Sequence, residues 1–367
     1  MNKKISSIQI GMLFSLILCG YFLGMSDIML IKKASNEVII SMLLGSLIGI
    51  IPVFMYLKIN STYPNLNIFE KNKKLFGKNI GLIINFLIII LYCLIFAIAT
   101  RTIIIFATSK YLENTPYILV GIFVIICCFV ASFNGLETVL RLAQISFVIT
   151  VFISILIETS ILGYLNIDNI LPFFISNNTI KTILYTSLYY AATTSFLSIL
   201  LLTIKKNDIK DNKNYNKVII IFYFYAVISL TIVMFFIISC FGYNLSSLFR
   251  YPEYMVLKKI GFSSSELHLE NLLAFRWTFY SLALSCTSLY GILTGINNYS
   301  KKRKINKIIV VIISFISMIL GKTILSSTTN ALSIMKNYYI PLIAIPMFLL
   351  LFIIFIKCVL KKNIKDK

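Results

Sequence analysis

Apolar residues in this chain are gathered into ten long runs, separated by short polar segments rich in lysine and asparagine. The runs are Ile8–Ile31, Val38–Leu57, Gly81–Thr108, Tyr117–Phe133, Leu142–Gly163, Thr182–Ile204, Val218–Gly242, Leu272–Asn297, Ile308–Leu325 and Tyr339–Ile356. A helix needs about 20 mostly apolar residues to cross a hydrocarbon core about 30 Å thick. No water is present at that depth, so each run must satisfy its backbone groups internally, as a helix. The pattern predicts an all-α polytopic membrane protein with about ten transmembrane helices, and residues 1–367 form a single transmembrane domain. The first run follows Met-Asn-Lys-Lys but is long, carries Asp27 and lacks a small-residue cleavage site, so it reads as a retained helix.

Two polar segments carry structure of their own. Asn65–Asn79 sets Ile68, Phe69, Leu75 and Phe76 against Lys71, Lys73 and Lys74, the pattern of a short helix on the inner membrane surface. In the segment Tyr243–Asn271, proline and acid at Pro252 and Glu253 precede base and glycine at Lys258, Lys259 and Gly261. That order predicts a helix from Pro252 to Ile260.

The net charge of +21 would suggest nucleic acid in a soluble protein. Here the basic residues sit between the runs, on alternate sides. With the N-terminus inside, 23 lysines and arginines fall in inner segments: Lys3 and Lys4, the 58–78 segment, Arg141, the 205–217 segment, the 301–307 segment and the C-terminal tail. Eight fall outside: Lys32, Lys33, Lys110, Lys181, Arg250, Lys258, Lys259 and Lys336. This bias predicts cytoplasmic termini, with the basic loops facing anionic lipid and no nucleic-acid partner.

Ten helices with both ends on one side divide into two sets of five. Because five is odd, the second set runs inverted relative to the first. Inverted repeats of about 5–163 and 181–358 place a substrate at mid-membrane, where the first helix of each half is broken. The first run offers a break at Cys19-Gly20-Tyr21-Phe22-Leu23-Gly24, and two glycines there weaken the helix by about 1 kcal/mol each relative to alanine. The same glycines also suit close helix packing. The sixth run offers Tyr189-Tyr190-Ala191-Ala192-Thr193-Thr194-Ser195, small and polar but without glycine or proline. Gly20, Tyr21, Gly24, Tyr189, Tyr190, Thr193, Thr194 and Ser195 are therefore the candidate substrate-binding residues.

Charges within the runs are few: Asp27, Arg101 and Glu158, with Arg276 and Lys322 nearer the ends. Each costs about 2.5–3.5 kcal/mol at a helix centre and needs a partner, water or a route to the interface. Arg101 is nine residues from Lys110, about 13 Å at 1.5 Å per residue, which is deep for snorkelling. It serves a ligand carboxylate in the candidate site, gates a polar pathway, or forms a buried pair with Glu158 or Asp27. The seven cysteines all lie in or beside apolar runs and read as small fillers. The single histidine, His268, reads as solvated and excludes a histidine pair or H-E-x-x-H zinc site. No phosphate-binding or dinucleotide glycine motif is present, so neither an enzyme nor a cofactor is expected.

Several short motifs resemble one family across the whole chain. They are Ile5-Ser6-Ser7-Ile8-Gln9, Tyr63-Pro64, Gly77-Lys78-Asn79-Ile80-Gly81, Arg101 with Thr115-Pro116, Gly135-Leu136-Glu137 with Arg141, Leu171-Pro172, Tyr251-Pro252 and the stretch Glu270–Trp277. Together they resemble the B subunit of spore germinant receptors (GerAB-type), within the amino acid–polyamine–organocation transporter superfamily. The chain departs from that pattern at Glu37-Val38-Ile39 and at Phe196-Leu197-Ser198. The resemblance implies a LeuT-like fold in the inner membrane of a spore-forming bacterium. It implies a nutrient-sensing subunit that binds a small germinant, an amino acid above all, and acts with an A-type membrane subunit and a C-type lipoprotein. A stand-alone secondary amino-acid transporter is the alternative. Gly135, Glu137 and Arg141 are expected to orient an inner loop, since Glu137 and Arg141 share a helix face at i, i+4.

Overall fold

In the computed structural model, residues 5–24, 26–171, 179–263, 268–324, 333–334 and 337–365 are described. Lys3, Lys4, Pro172, Leu325, Lys336 and Lys367 lie outside the described residues.

The described residues of the ten apolar runs are helical, and the first, second and sixth runs are interrupted. The first run gives α1 (Ser7–Phe22) and α2 (Ser26–Ala34), and the second gives α3 (Val38–Ile48) and α4 (Ile50–Ser61). Next come α5 (Ile68–Phe76), α6 (Lys78–Lys110), α7 (Tyr117–Phe133) and α8 (Leu136–Ile161). The sixth run is α9 (Thr179–Thr193), followed by a 3₁₀ stretch, Ser195–Thr203. The remainder is α10 (Tyr215–Leu248, kinked at Gly242), α11 (Pro252–Ser263), α12 (Leu269–Tyr299), α13 (Arg303–Ile324) and α14 (Ile345–Lys365). The expected outer helix is thus present and one turn longer than its sequence signals indicated.

Packing separates a core from a belt. The apolar windows of the sixth and eighth spans are 72% buried within the protein, whereas those of the fifth and ninth are 33% buried. Phe123, Val148, Phe152 and Ile312 on α7, α8 and α13 are exposed, as side chains facing hydrocarbon must be. Contacts between the two halves are reciprocal. The first helix of one half, α1, packs along α10, the second of the other, and α9 packs along α3. Likewise α6 packs on α13 while α12 packs on α7, and α6 and α12 pack on each other. Two halves related by a pseudo-two-fold axis produce this pattern.

The lysine-rich segments all gather on one face. Ile5 N–H donates to Asp208 O, Asn207 N–H to Pro64 O, Lys73 Nζ to Asn298 O, Lys361 Nζ to Lys74 O and Lys307 Nζ to Phe133 O. The opposite face is joined by Tyr111 donating to Glu270 O, by Asn169 donating to Ser239 O and by Lys110 over the Tyr254 ring.

The α5 helix differs from the surface helix expected of it. Asn67 and Glu70 close a capping box at its start, with both bonds at 3.0 Å. Its apolar side packs on protein rather than on lipid, with Phe69 against Tyr92. Lys71 is fully buried and donates from Nζ to Ile59 O at 2.9 Å and Asn60 O at 3.1 Å, satisfying carbonyls at the end of α4. Burial pushes this ammonium down to about 8.

Candidate ligand site at the helix breaks

The first break forms because Leu23 leaves the helix for an extended conformation and Gly24 follows at φ +87. A side chain at Gly24 would be strained in that region, and its Cβ would lie 3.1 Å from the Thr102 methyl on α6. Gly20 has a different reason to be glycine: an added Cβ would sit 2.5 Å from the Tyr280 carbonyl oxygen. It therefore sets the close approach of α1 and α12. After the break, α2 starts afresh with Asp27 in its first turn, and Asp27 Oδ1 accepts the Ile28 N–H at 2.9 Å.

The second break is at Thr194, whose φ/ψ of −115/−81 ends α9 and starts the 3₁₀ stretch. The break has neither glycine nor proline; hydroxyls bond back to carbonyls of the last turn of α9. Thr193 Oγ1 donates to Tyr189 O at 3.0 Å, Thr194 Oγ1 to Tyr190 O at 2.7 Å and Ser195 Oγ to Ala191 O at 2.7 Å. These three residues build the break, so their hydroxyl hydrogens are committed to backbone.

Aromatic side chains connect the two breaks. Tyr21 and Tyr189 both pack against Tyr339, with ring centroids 6.0 and 5.6 Å apart, and Tyr339 donates to Ala192 O at 3.1 Å. The Tyr189 hydroxyl lies beside the Ser26 hydroxyl, within electrostatic reach of Tyr21 and Asp27. Tyr21 Oη, Tyr189 Oη, Ser26 Oγ and Asp27 Oδ2 are buried; Tyr21 Oη lies beside the Tyr339 hydroxyl and Tyr189 Oη beside that of Ser26, and among the described residues none of the four makes a hydrogen bond of full geometry. Tyr190 points elsewhere: it packs edge-on to Phe22 and donates to Val227 O on α10 at 3.0 Å.

Sequence reasoning missed Tyr339 and Ser26. Tyr339 opens the last apolar run beside Tyr338, where it reads as part of an interfacial belt, and only the tertiary fold carries it to the breaks. Tyr339 also lines an apolar cavity of about 250 Å³, with Cys93, Ala97, Gly321 and Leu342 among others.

Arg101 is buried on α6, next to the Thr102 that meets Gly24. It faces the seam with α13, where a Cβ on Gly321 would be 3.5 Å from the Arg101 Cβ, and its electrostatic neighbours include Arg250, Tyr117 and Tyr251. Among the described residues, no ion pair joins Arg101 to Glu158 or Asp27. The buried pair is formed instead by Arg276 of α12 and Glu253 of α11, with Trp277 Nε1 donating to the second carboxylate oxygen at 3.1 Å. Arg276 also donates to Ser154 on α8 at 3.1 Å. His268 is exposed beside Glu270, and Lys322 reaches over the Tyr117 ring.

Gly135, Glu137 and Arg141 stand far from the breaks, on the lysine-rich face. Glu137 and Arg141 form an exposed i, i+4 pair at 2.6 Å at the start of α8. Gly135 rims a cavity of about 730 Å³ that opens there and is lined also by Asn67, Glu70, Asn298, Lys301 and Arg303.

A family model described as spore germination protein matches residues 4–331. The chain belongs to the spore germination protein family. A curated relative, spore germination protein YndE of Bacillus subtilis (strain 168), is 28% identical over 133 residues, an alignment spanning 36% of this chain and 37% of that protein. Two solved transporters share the fold of this spore germination protein. One is a Na+-coupled sialic acid symporter in a substrate-bound outward-open state, with TM-score 0.63 and 13% identity, matched over 91% of this chain and 76% of that one. The other is Mhp1, a nucleobase-cation-symport-1 family transporter in a closed conformation with bromovinylhydantoin bound. It matches with TM-score 0.65 and 11% identity over 94% of this chain and 78% of that one. The fold is therefore the LeuT-like one, two inverted five-helix sets in a multi-pass membrane protein. The family and fold relatives are permeases and transporters rather than enzymes.

Proposed function

We propose that this spore germination protein is the nutrient-sensing membrane subunit of a germinant receptor, and that it captures a small germinant between its two helix breaks. The observation that carries the proposal is the meeting of both breaks through Tyr21, Tyr189 and Tyr339, with the buried Ser26 hydroxyl and Asp27 carboxyl beside them. The freed N–H groups at the start of α2 favour a carboxylate, and Arg101 stands one residue along α6 from the contact with Gly24. Binding would shift the bundle between two states by its difference in affinity for them. In this reading the halves are about 5–163 and 181–358, and the lysine-rich face and both termini are cytoplasmic in the inner membrane of the spore. The partners are an A-type membrane subunit and a C-type lipoprotein.

The experiment is deletion of the gene in its spore-forming host, followed by germination assays across a nutrient panel. Loss of the response to one nutrient class, restored by the intact gene, is the expected result. Unchanged responses to every nutrient would refute the receptor role.

The likeness to two symporters favours a second reading, a transporter that completes a substrate cycle alone. Saturable uptake of an amino acid into liposomes holding only this chain would support it; binding without uptake supports the receptor.

A further inference from the structure

We propose that the cavity of about 730 Å³ on the lysine-rich face is a binding site for a phosphate-bearing anion, separate from the helix breaks. None of its lining residues belongs to α1, α2, α9 or the 3₁₀ stretch after α9, so it stands whether or not a germinant binds at the breaks.

The cavity lies between the starts of α5 and α13 and the ends of α7 and α12. Its walls hold three basic side chains, Lys301, Arg303 and Lys307, against Glu70, the one acid among its described lining residues. Glu70 is already engaged: its carboxylate pairs with Lys205 at 3.2 Å and accepts the Asn67 N–H at 3.0 Å. Among the described residues, Lys301, Arg303 and Lys307 form no ion pair, and Lys307 reaches the Phe133 carbonyl at 3.5 Å. A concave wall of one sign focuses its field on the interior and attracts the opposite charge.

A basic run is ordinarily a solvated loop, but this one is held in place. Asn306 Nδ2 donates to Ser300 O at 2.7 Å and to Asn297 Oδ1 at 2.8 Å. The Lys302 N–H donates to Ser300 Oγ at 3.2 Å, and Lys73 Nζ donates to Asn298 O at 2.9 Å. These bonds fix the turn that carries Lys301 and Arg303 on the cavity wall. Arg303 also begins α13, whose N-terminal dipole adds positive potential at the same place. Asn67 is 8% exposed and uses its Oδ1 to accept the Glu70 N–H, which leaves its Nδ2 as a donor on the wall.

A guanidinium, two ammoniums and an amide suit a phosphate, whose several oxygens accept from different directions. The volume is that of a site for a small organic ligand rather than a bare ion. Phe133, Tyr290 and Tyr299 give the organic part an aromatic lining. Two sources offer such a group. One is a soluble phosphate ester; the other is an anionic phospholipid headgroup, because exposed Val130 on α7 and Ile308 on α13 bring the lipid-facing belt within a turn of Phe133 and Lys307.

The test uses the full chain in phosphatidylcholine nanodiscs, following thermal stability against inorganic phosphate, glycerol 3-phosphate, ATP and, at matched ionic strength, sodium chloride. A second set of nanodiscs carries rising fractions of phosphatidylglycerol. Stabilisation is expected in at least one arm: by a soluble phosphate compound if the ligand is soluble, or by phosphatidylglycerol alone if it is a headgroup. Arg303→Gln/Lys307→Gln should then need at least about tenfold more of that ligand for the same stabilisation. Lys213→Gln/Lys217→Gln removes the same charge from exposed positions that do not line the cavity, and should change the requirement by less than about twofold. All four side chains are exposed, so both variants should fold. Equal weakening in the two variants would reveal diffuse attraction to the face and overturn the site. Stabilisation by sodium chloride equal to that by the phosphate compounds, or none in either arm, would overturn it as well. None of these outcomes bears on the helix breaks.

Discussion

Replacing Glu253 by leucine removes the partner of a guanidinium that is itself 1% exposed. Breaking a buried pair from one side costs about 3–5 kcal/mol, because the remaining charge stays desolvated. The Trp277 N–H loses its acceptor as well, for about 1 kcal/mol. Ser154 still accepts from Arg276, so the guanidinium keeps one neutral contact. A total of about 4–6 kcal/mol lowers the folded-to-unfolded ratio by a factor of about 700 to 20,000, since about 1.4 kcal/mol is tenfold. The double variant Glu253→Leu/Arg276→Met removes both charges, and apolar replacement of a whole buried pair is often neutral or stabilising. The assay is the amount of folded protein in membranes and its thermal midpoint after purification. Low abundance for Glu253→Leu, with recovery in the double variant, is expected. A single variant as stable as the wild type, or a double variant no better than the single, would refute the view that this pair fastens α11 to α12.

Gly20→Ala should destabilise the protein, because its Cβ would meet the Tyr280 carbonyl at 2.5 Å; a normal midpoint would show that α1 and α12 can separate freely. Glu137→Gln removes an exposed i, i+4 pair worth about 0.3–0.5 kcal/mol; abundance and nutrient preference should both be unchanged, and an altered preference would contradict the structural assignment. Burial holds the Lys71 ammonium at about 8 against an ordinary 10.5. The unfolded chain therefore binds more protons between those values, so this group's contribution to stability rises with pH through that window. The rise should disappear in Lys71→Met, measured as the difference in thermal midpoint from wild type between about pH 7.5 and 10; an identical pH dependence in both proteins would contradict it.

The number of spans, the sorting of lysines to one face and the α11 helix were legible because composition, helix period and capping chemistry act locally. Gly24 announced the first break for the same reason. The Thr194 break was visible only as a polar stretch, since it carries no glycine or proline and the hydroxyls of Thr193, Thr194 and Ser195 bond back to the helix. Tyr189 and Tyr190 look alike in sequence, yet a 100° step around α9 sends one to the breaks and the other to α10. The partners of charges were the least legible. Glu253 lies in a polar segment outside the apolar runs and gave no sign of being the carboxylate that neutralises Arg276. Lys71 looked like one lysine among several but closes the end of α4.

Whether a small nutrient binds between the helix breaks can be read from Tyr21→Phe and Tyr189→Phe. Both hydroxyls are buried, and among the described residues neither makes a hydrogen bond of full geometry, so removing them should leave abundance and thermal stability close to wild type. If they wait for a ligand, each variant should shift the nutrient concentration for half-maximal germination upward by about five- to tenfold, the loss of one hydrogen bond of about 1 kcal/mol or slightly more. Unchanged dose–response curves in both variants, at normal protein levels, would contradict the account and place the site elsewhere.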